Sequence, residues 1–178
     1  MRRPKDEREA HPRMTRARPP VADDLPTETD LGMMRRALDL ARMAADAGEV
    51  PVGAIVYETA TGRILGEAHN TRERDADPGA HAEFVAMRLA AGSLGDWRLN
   101  NCTLVVTLEP CPMCAGMIIN ARVGRVVYGA ADPKAGAVHS LYELLGDERL
   151  NHRVGAIGGV LAGESAALLR AFFRARRS

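Results

Sequence analysis

The sequence predicts a three-layer α/β domain, with a mixed five-stranded sheet carrying helices on its faces. Three observations predict it. Short apolar runs at Val52–Glu58 (VGAIVYE), Thr103–Leu108 (TLVVTL) and Arg125–Tyr128 (RVVY) read as strands. Segments between them repeat apolar residues at helical spacing. The order is helix, hairpin, then strand and helix alternating, which builds a sheet covered on both sides.

Each element follows from local chemistry. Thr29 or Asp30 can cap a first helix, in which Met34, Ala37, Leu38, Ala41, Ala44 and Ala45 recur at helical spacing until Gly48 and Pro51 stop it. Val52–Glu58 turns at Thr59–Gly62 and returns antiparallel as Arg63–Ala68. His69–Gly79 is polar and ends in Pro78-Gly79, so it reads as a loop. Ala80–Ala91 reads as a helix closed by Gly92, and Thr103–Leu108 as a buried strand. Pro110–Ala121 is a helix with proline in its first turn, followed by the Arg125–Tyr128 strand. Asp132–Ser140 is a loop, Leu141–Leu145 a short helix and Arg153–Ile157 a fifth strand. Glu164–Arg176 is a last amphipathic helix with Ala167, Leu168, Ala171 and Phe172 inward.

At 178 residues the chain suffices for one full core and is short for two. The domain is expected over 30–178. Residues 1–29 hold five of the ten prolines among arginines and acids, so they read as a disordered arm. Three readings of that arm stay open: an RNA-touching tail, an inert extension, or a true start at Met14 or Met33. Its acids oppose an organellar leader, and residues 1–20 lack the apolar stretch of a signal peptide. No apolar run approaches the roughly 20 residues of a membrane span. Net charge is only +1, so any affinity for nucleic acid must be local. Beyond Glu164 come Arg170, Arg174, Arg176 and Arg177 with no acid, which is either solvated surface or a phosphate-facing patch. The three cysteines, Cys102, Cys111 and Cys114, do not make a secreted disulfide framework and suit the cytoplasm.

Two motifs carry chemistry: His81-Ala82-Glu83 and Pro110-Cys111-Pro112-Met113-Cys114. A lone CxxC is equally a redox pair, a structural zinc half-site or chance, and a lone HxE is commonplace. Together, each at a predicted helix start, they match the pattern of zinc-dependent nucleobase deaminases. His81, Cys111 and Cys114 supply three zinc ligands and leave a fourth position for water, the mark of a catalytic site. Cys102 precedes the extended strand Thr103–Leu108, whose far end lies roughly 20 Å away at about 3.3 Å per residue, so it reads as core. Zinc lowers the pKa of water toward neutrality. Glu83 is then the expected proton carrier, against the blander role of an acidic residue at a helix N-terminus. Backbone N–H groups near Ala82 and Cys111 are candidate donors to the developing tetrahedral centre.

The chain also resembles the bacterial tRNA adenosine deaminases, which convert the wobble adenosine of a tRNA anticodon to inosine. The resemblance covers most of residues 31–176. It rests on Glu49–Val56, Asn70, Ala80–Glu83, Thr107–Ile118, Arg122–Ala130, Asp132, Lys134, Gly136, Asn151–Val154 and Glu164–Arg177. It implies a cytidine-deaminase-like fold, a homodimer and one Zn2+ per subunit on His81, Cys111 and Cys114, with Glu83 shuttling the proton. It further implies that Asn70 meets the flipped nucleotide, that Asp132 and Lys134 belong to a loop on the anticodon stem-loop, and that His152 and Arg153 lie near bound nucleotides; Ala82 is expected at the substrate through its backbone N–H. Pro133 and His139 depart from the family pattern in that loop. Three rivals share parts of the kit: a zinc deaminase of free bases or nucleosides, a non-catalytic zinc-stabilised RNA-binding module, and a thiol redox protein.

Overall fold

The computed structural model describes residues 25–177, so residues 1–24 of the expected arm, with Met14, lie outside the described residues. Five strands form one sheet in the order β2-β1-β3-β4-β5: β1 (Gly53–Glu58), β2 (Ile64–His69), β3 (Cys102–Leu108), β4 (Arg125–Ala130) and β5 (Gly155–Ile157). β1 pairs antiparallel with β2 and β3, while β3–β4 and β4–β5 are parallel. The sheet is therefore mixed, as the alternation of hairpin and crossover predicts. Helices α1 (Glu28–Asp46) and α5 (Ala162–Ala175) cover one face; α3 (Ala82–Leu94) and α4 (Pro112–Asn120) cover the other.

Burial on both faces explains why the central strands read as unbroken apolar runs. Ala54, Val56, Leu104, Val106, Val126 and Tyr128 pack toward α3 and α4. The intervening Ile55, Tyr57, Val105 and Val127 pack with Met34, Ala37 and Val160 under α1 and α5. Helix α1 lies so close to the sheet that a Cβ on Gly53 would stand 2.8 Å from the Ala41 backbone nitrogen. Only glycine fits there.

Several boundaries differ from expectation, each for a physical reason. The cap of α1 is Thr27, not Thr29 or Asp30. Thr27 accepts from the Asp30 N–H at 3.1 Å and Asp30 accepts from the Thr27 N–H at 2.7 Å, a reciprocal capping box. The Asp30 carboxylate also binds Arg125 (2.9 and 2.7 Å) and Tyr57 (2.6 Å), tying α1 to β4 and β1. Gly92 does not close α3, because an exposed helical glycine costs only about 1 kcal/mol. The helix runs to Leu94 and stops at Gly95, whose φ of 68° is left-handed. The polar stretch 69–79 contains a short helix, α2 (Arg72–Asp75). The short helix expected at Leu141–Leu145 is a single 3-10 turn at Leu144–Gly146. On α5 the buried residue is Ser165, with Leu168 and Phe172 half-buried; Ala167 and Ala171, expected inward, are exposed. Among the described residues no helix is long and apolar enough to cross a membrane.

Candidate metal centre and active site

His81 is the N-cap of α3 and Cys111 the N-cap of α4, and neither side chain caps its own helix. An N-cap normally carries Ser, Thr, Asp or Asn, worth about 1 kcal/mol to the helix. Here that contribution is forgone and both side chains turn toward each other. Pro112 sets the first turn of α4, and Cys114 follows Cys111 at the i+3 position, on the same face. The Cys111 and Cys114 sulfurs each lie 3.7 Å from His81 Nδ1. All three ligand atoms fall within 4.8 Å of one another.

That spacing fits zinc. With zinc–nitrogen and zinc–sulfur bonds of roughly 2.0 and 2.3 Å, a tetrahedral nitrogen–sulfur edge is about 3.5 Å. One imidazole and two thiols are also the donor set that borderline-soft Zn2+ takes. The Cys111 thiol is lowered to about 4, first by the Cys114 thiol donating to it and then by His81. Cys114 moves the other way, raised by the same contact and by burial. His81 is raised, chiefly by its bond to Cys111. A positive ion between these groups would release the shared protons. Cys102 opens β3 as a buried free thiol outside this group.

Glu83, in the first turn of α3, is 4% exposed. Burial raises its carboxyl above the ordinary range, against the opposing charge of His81. It borders a cavity of about 220 Å3 beyond the carboxyl end of β3, which His81, Ala82, Cys111, Asn70 and Asp132 also line. Of the residues expected at the site, these six therefore share one cavity.

The other expected residues lie elsewhere. Lys134 is exposed and lines a neighbouring groove of about 670 Å3, not the cavity. His152 Nε2 stands 2.9 Å from the Val123 carbonyl, and Arg122 donates to Asn151 at 2.9 Å. These bonds tie the segment to the turn after α4. Arg153 pairs with Glu148 at 3.5 Å. Neither His152 nor Arg153 lines the cavity.

Sequence reasoning missed two buried acids of the cavity, Glu49 and Glu109. Glu49 accepts from the side chain of Asn70 (3.3 Å) and the N–H groups of Glu73 (3.2 Å) and Arg74 (2.7 Å). Glu109 gathers the Asp132–Ser140 loop. A signal existed: each is a solitary carboxylate in an apolar stretch beside a proline, Glu49-Val50-Pro51 and Leu108-Glu109-Pro110.

Comparison with known proteins agrees with this geometry. Residues 28–177 match the model of the MafB19-like deaminase family. A tRNA-specific adenosine deaminase of Bacillus subtilis is 46% identical over 144 residues, 81% of this chain and 88% of that protein. A tRNA(Ile)-lysidine synthase of Deinococcus radiodurans is 51% identical over 149 residues, 84% of this chain; the chain spans only 25% of that protein's length. A solved tRNA:A34 deaminase, studied for A-to-I editing at the wobble position of transfer RNA, superposes with a TM-score of 0.74 at 40% identity, covering 78% of this chain and 99% of that one. Guanine deaminase from Nitrosomonas europaea superposes with a TM-score of 0.71 at 26% identity, covering 83% and 85%. The chain thus belongs to the MafB19-like deaminase family, alongside the tRNA-specific adenosine deaminases of the cytidine-deaminase-like superfamily.

Proposed function

We propose that the chain hydrolytically deaminates adenosine to inosine at the wobble position of a tRNA anticodon. The observation that carries this reading is the His81–Cys111–Cys114 group with its ligand atoms within 4.8 Å, beside the enclosed and unligated Glu83. A zinc ion held there supplies Lewis acidity that makes water a nucleophile near neutral pH. Glu83 takes the proton of the attacking water and delivers it to the ring nitrogen. It then carries a proton to the departing amine, so that adenosine and water become inosine and ammonia. Burial of Glu83 raises its proton affinity, the direction such a carrier requires. The N–H groups at the starts of α3 and α4 supply the positive helix ends that favour charge developing at the reacting carbon.

The groove beside the cavity supports a polynucleotide substrate. It shares Val50, Leu108 and Asp132 with the cavity and has an apolar floor with Leu169 and Phe173. Lys134, Arg170, Arg174 and Arg177 stand along it. An apolar floor with one aromatic ring, Phe173, and a cationic rim together suit splayed bases and phosphates. Asn70 has its Nδ2 engaged by Glu49, which leaves Oδ1 as an acceptor for the flipped nucleotide. Asp132 and Lys134 belong to the same surface. His152 and Arg153, tied to the α4 turn and to Glu148, would act there only as a support. The resemblance also carries a homodimer, and the three free cysteines suit a cytoplasmic location.

The likeness to a guanine deaminase favours one second reading, a free purine base as substrate. One assay separates them. Zinc-loaded protein is incubated with an anticodon stem-loop, free adenosine, cytidine and guanine. Inosine in the stem-loop at the wobble position is expected; product from guanine alone would overturn the RNA reading.

A further inference from the structure

Glu109 borders the cavity yet has no capacity left for a substrate. A carboxylate offers about four lone-pair sites. Glu109 receives five donors. Its Oε1 accepts from the N–H groups of Val138 (3.1 Å), His139 (2.7 Å) and Ser140 (2.9 Å). Its Oε2 accepts from the Asp132 N–H at 3.0 Å and from the Ser140 hydroxyl. All five belong to one loop, whose Asp132 lines the cavity and whose Lys134 lines the groove. Gly136 lies at the centre of the loop, where a Cβ would collide with the Glu109 carboxylate. The glycine is the space that lets the loop close around the acid. Two further bonds fix the frame: the Glu109 N–H donates to Ala130, and the Ala137 N–H to the carbonyl of Pro110, both at 2.8 Å.

We infer that Glu109 is the positioning residue of the substrate-binding loop: its saturated carboxylate holds residues 132–140 in the one shape that presents Asp132 to the cavity and Lys134 to the groove. It exchanges no proton with substrate. Glu83, which lines the same cavity, is the acid free to do so. The effect on substrate rests on the proposed RNA reading; the clamp itself does not.

The test compares the full zinc-loaded chain with Glu109→Gln and Gly136→Ala. Glutamine keeps the size but sets an NH2 group against backbone N–H donors. Gly136→Ala leaves all five donors and the acid in place and forces them apart, so it serves where Glu109→Gln does not fold. Backbone amide exchange, zinc content and kinetics on the anticodon stem-loop are measured. Exchange over residues 132–140 is expected to quicken about tenfold or more, with residues 82–94 unchanged and zinc retained. KM should rise about tenfold while kcat moves less than about threefold, because binding geometry and not proton transfer is lost. Unchanged exchange at 132–140 overturns the clamp. A loosened loop with unmoved KM, or a loss confined to kcat, overturns its role toward substrate. If the wild-type protein leaves the stem-loop unedited, the proposed function falls, while amide exchange still decides the clamp.

Discussion

The Glu49 carboxylate accepts the Asn70 side-chain amide at 3.3 Å while also accepting the N–H groups of Glu73 and Arg74, at 3.2 and 2.7 Å. One buried acid thus orients a cavity side chain and anchors the segment that leads to His81. Glu49→Gln sets an amide donor among these donors, leaving at least one unpaired. A stability loss of about 1–3 kcal/mol is expected, read from the urea midpoint. Zinc binding should persist, since no ligand touches Glu49.

Glu83 contributes no ligand atom to the metal group, so its loss should separate binding from chemistry. Glu83→Ala is expected to retain one zinc per chain and to lose roughly 10²–10⁴-fold in kcat on the stem-loop. Metal analysis and single-turnover kinetics check it. Near-normal turnover would return Glu83 to the role of a helix-end charge.

Much of this site was legible in the sequence because its chemistry is local. His81, Glu83, Cys111 and Cys114 sit in two short motifs, and the motifs fall at helix starts because Pro112 and the preceding strand place them there. The central strands were equally plain, since burial on both faces leaves uninterrupted apolar runs. Glu49 and Glu109 were not read, because most of their partners are backbone N–H groups 23–31 residues away, which carry no side-chain signature. The inward face of α5 was misassigned because small residues satisfy either side of a helix: Ala167 and Ala171 fit a core but lie in solvent. The cap at Thr27 was missed because Asp30 is itself a good cap residue, here used at the third position of the helix.

The two uncapped helix starts give a prediction about metal removal. Neither the His81 nor the Cys111 side chain makes a capping hydrogen bond to its own helix. Cys111→Ser destroys the zinc site but supplies an oxygen at a position that favours it. Compared without metal, Cys111→Ser should be more stable than the natural chain by about 0.5–2 kcal/mol. With zinc present the order should reverse. Chemical denaturation with and without chelator measures both.

Glu109 predicts a pH dependence. Burial alone would raise its carboxyl, but the bonds from the 132–140 loop outweigh burial and bring it from 4.5 down to about 2. A carboxyl lowered on folding stabilises the protein above its unfolded value and loses that stabilisation as pH falls toward the folded one. The natural chain should therefore lose about 3 kcal/mol between pH 5 and pH 2 through this group. Glu109→Gln should show a flatter stability profile over the same window. Urea midpoints at pH 5, 4, 3 and 2 provide the comparison.

The arginines of α5 divide by position, and the division predicts which of them handle RNA. Arg170, Arg174 and Arg177 line the groove beside the cavity. Arg176 turns away: its guanidinium donates to the Gly48 carbonyl at the end of α1 and lies over the Phe172 ring, 4.5 Å from its centre. Arg174→Glu with Arg177→Glu should weaken stem-loop binding and reduce the slope of log K against log salt by roughly 1–2, since each phosphate contact on a single strand contributes about 0.7. Arg176→Ala should leave that slope unchanged and lower the melting temperature instead, because it removes a link between the two helices on that face. Binding titrations at several salt concentrations decide. Equal slopes for the natural chain and the double variant would reduce the groove's cations to ordinary surface charge.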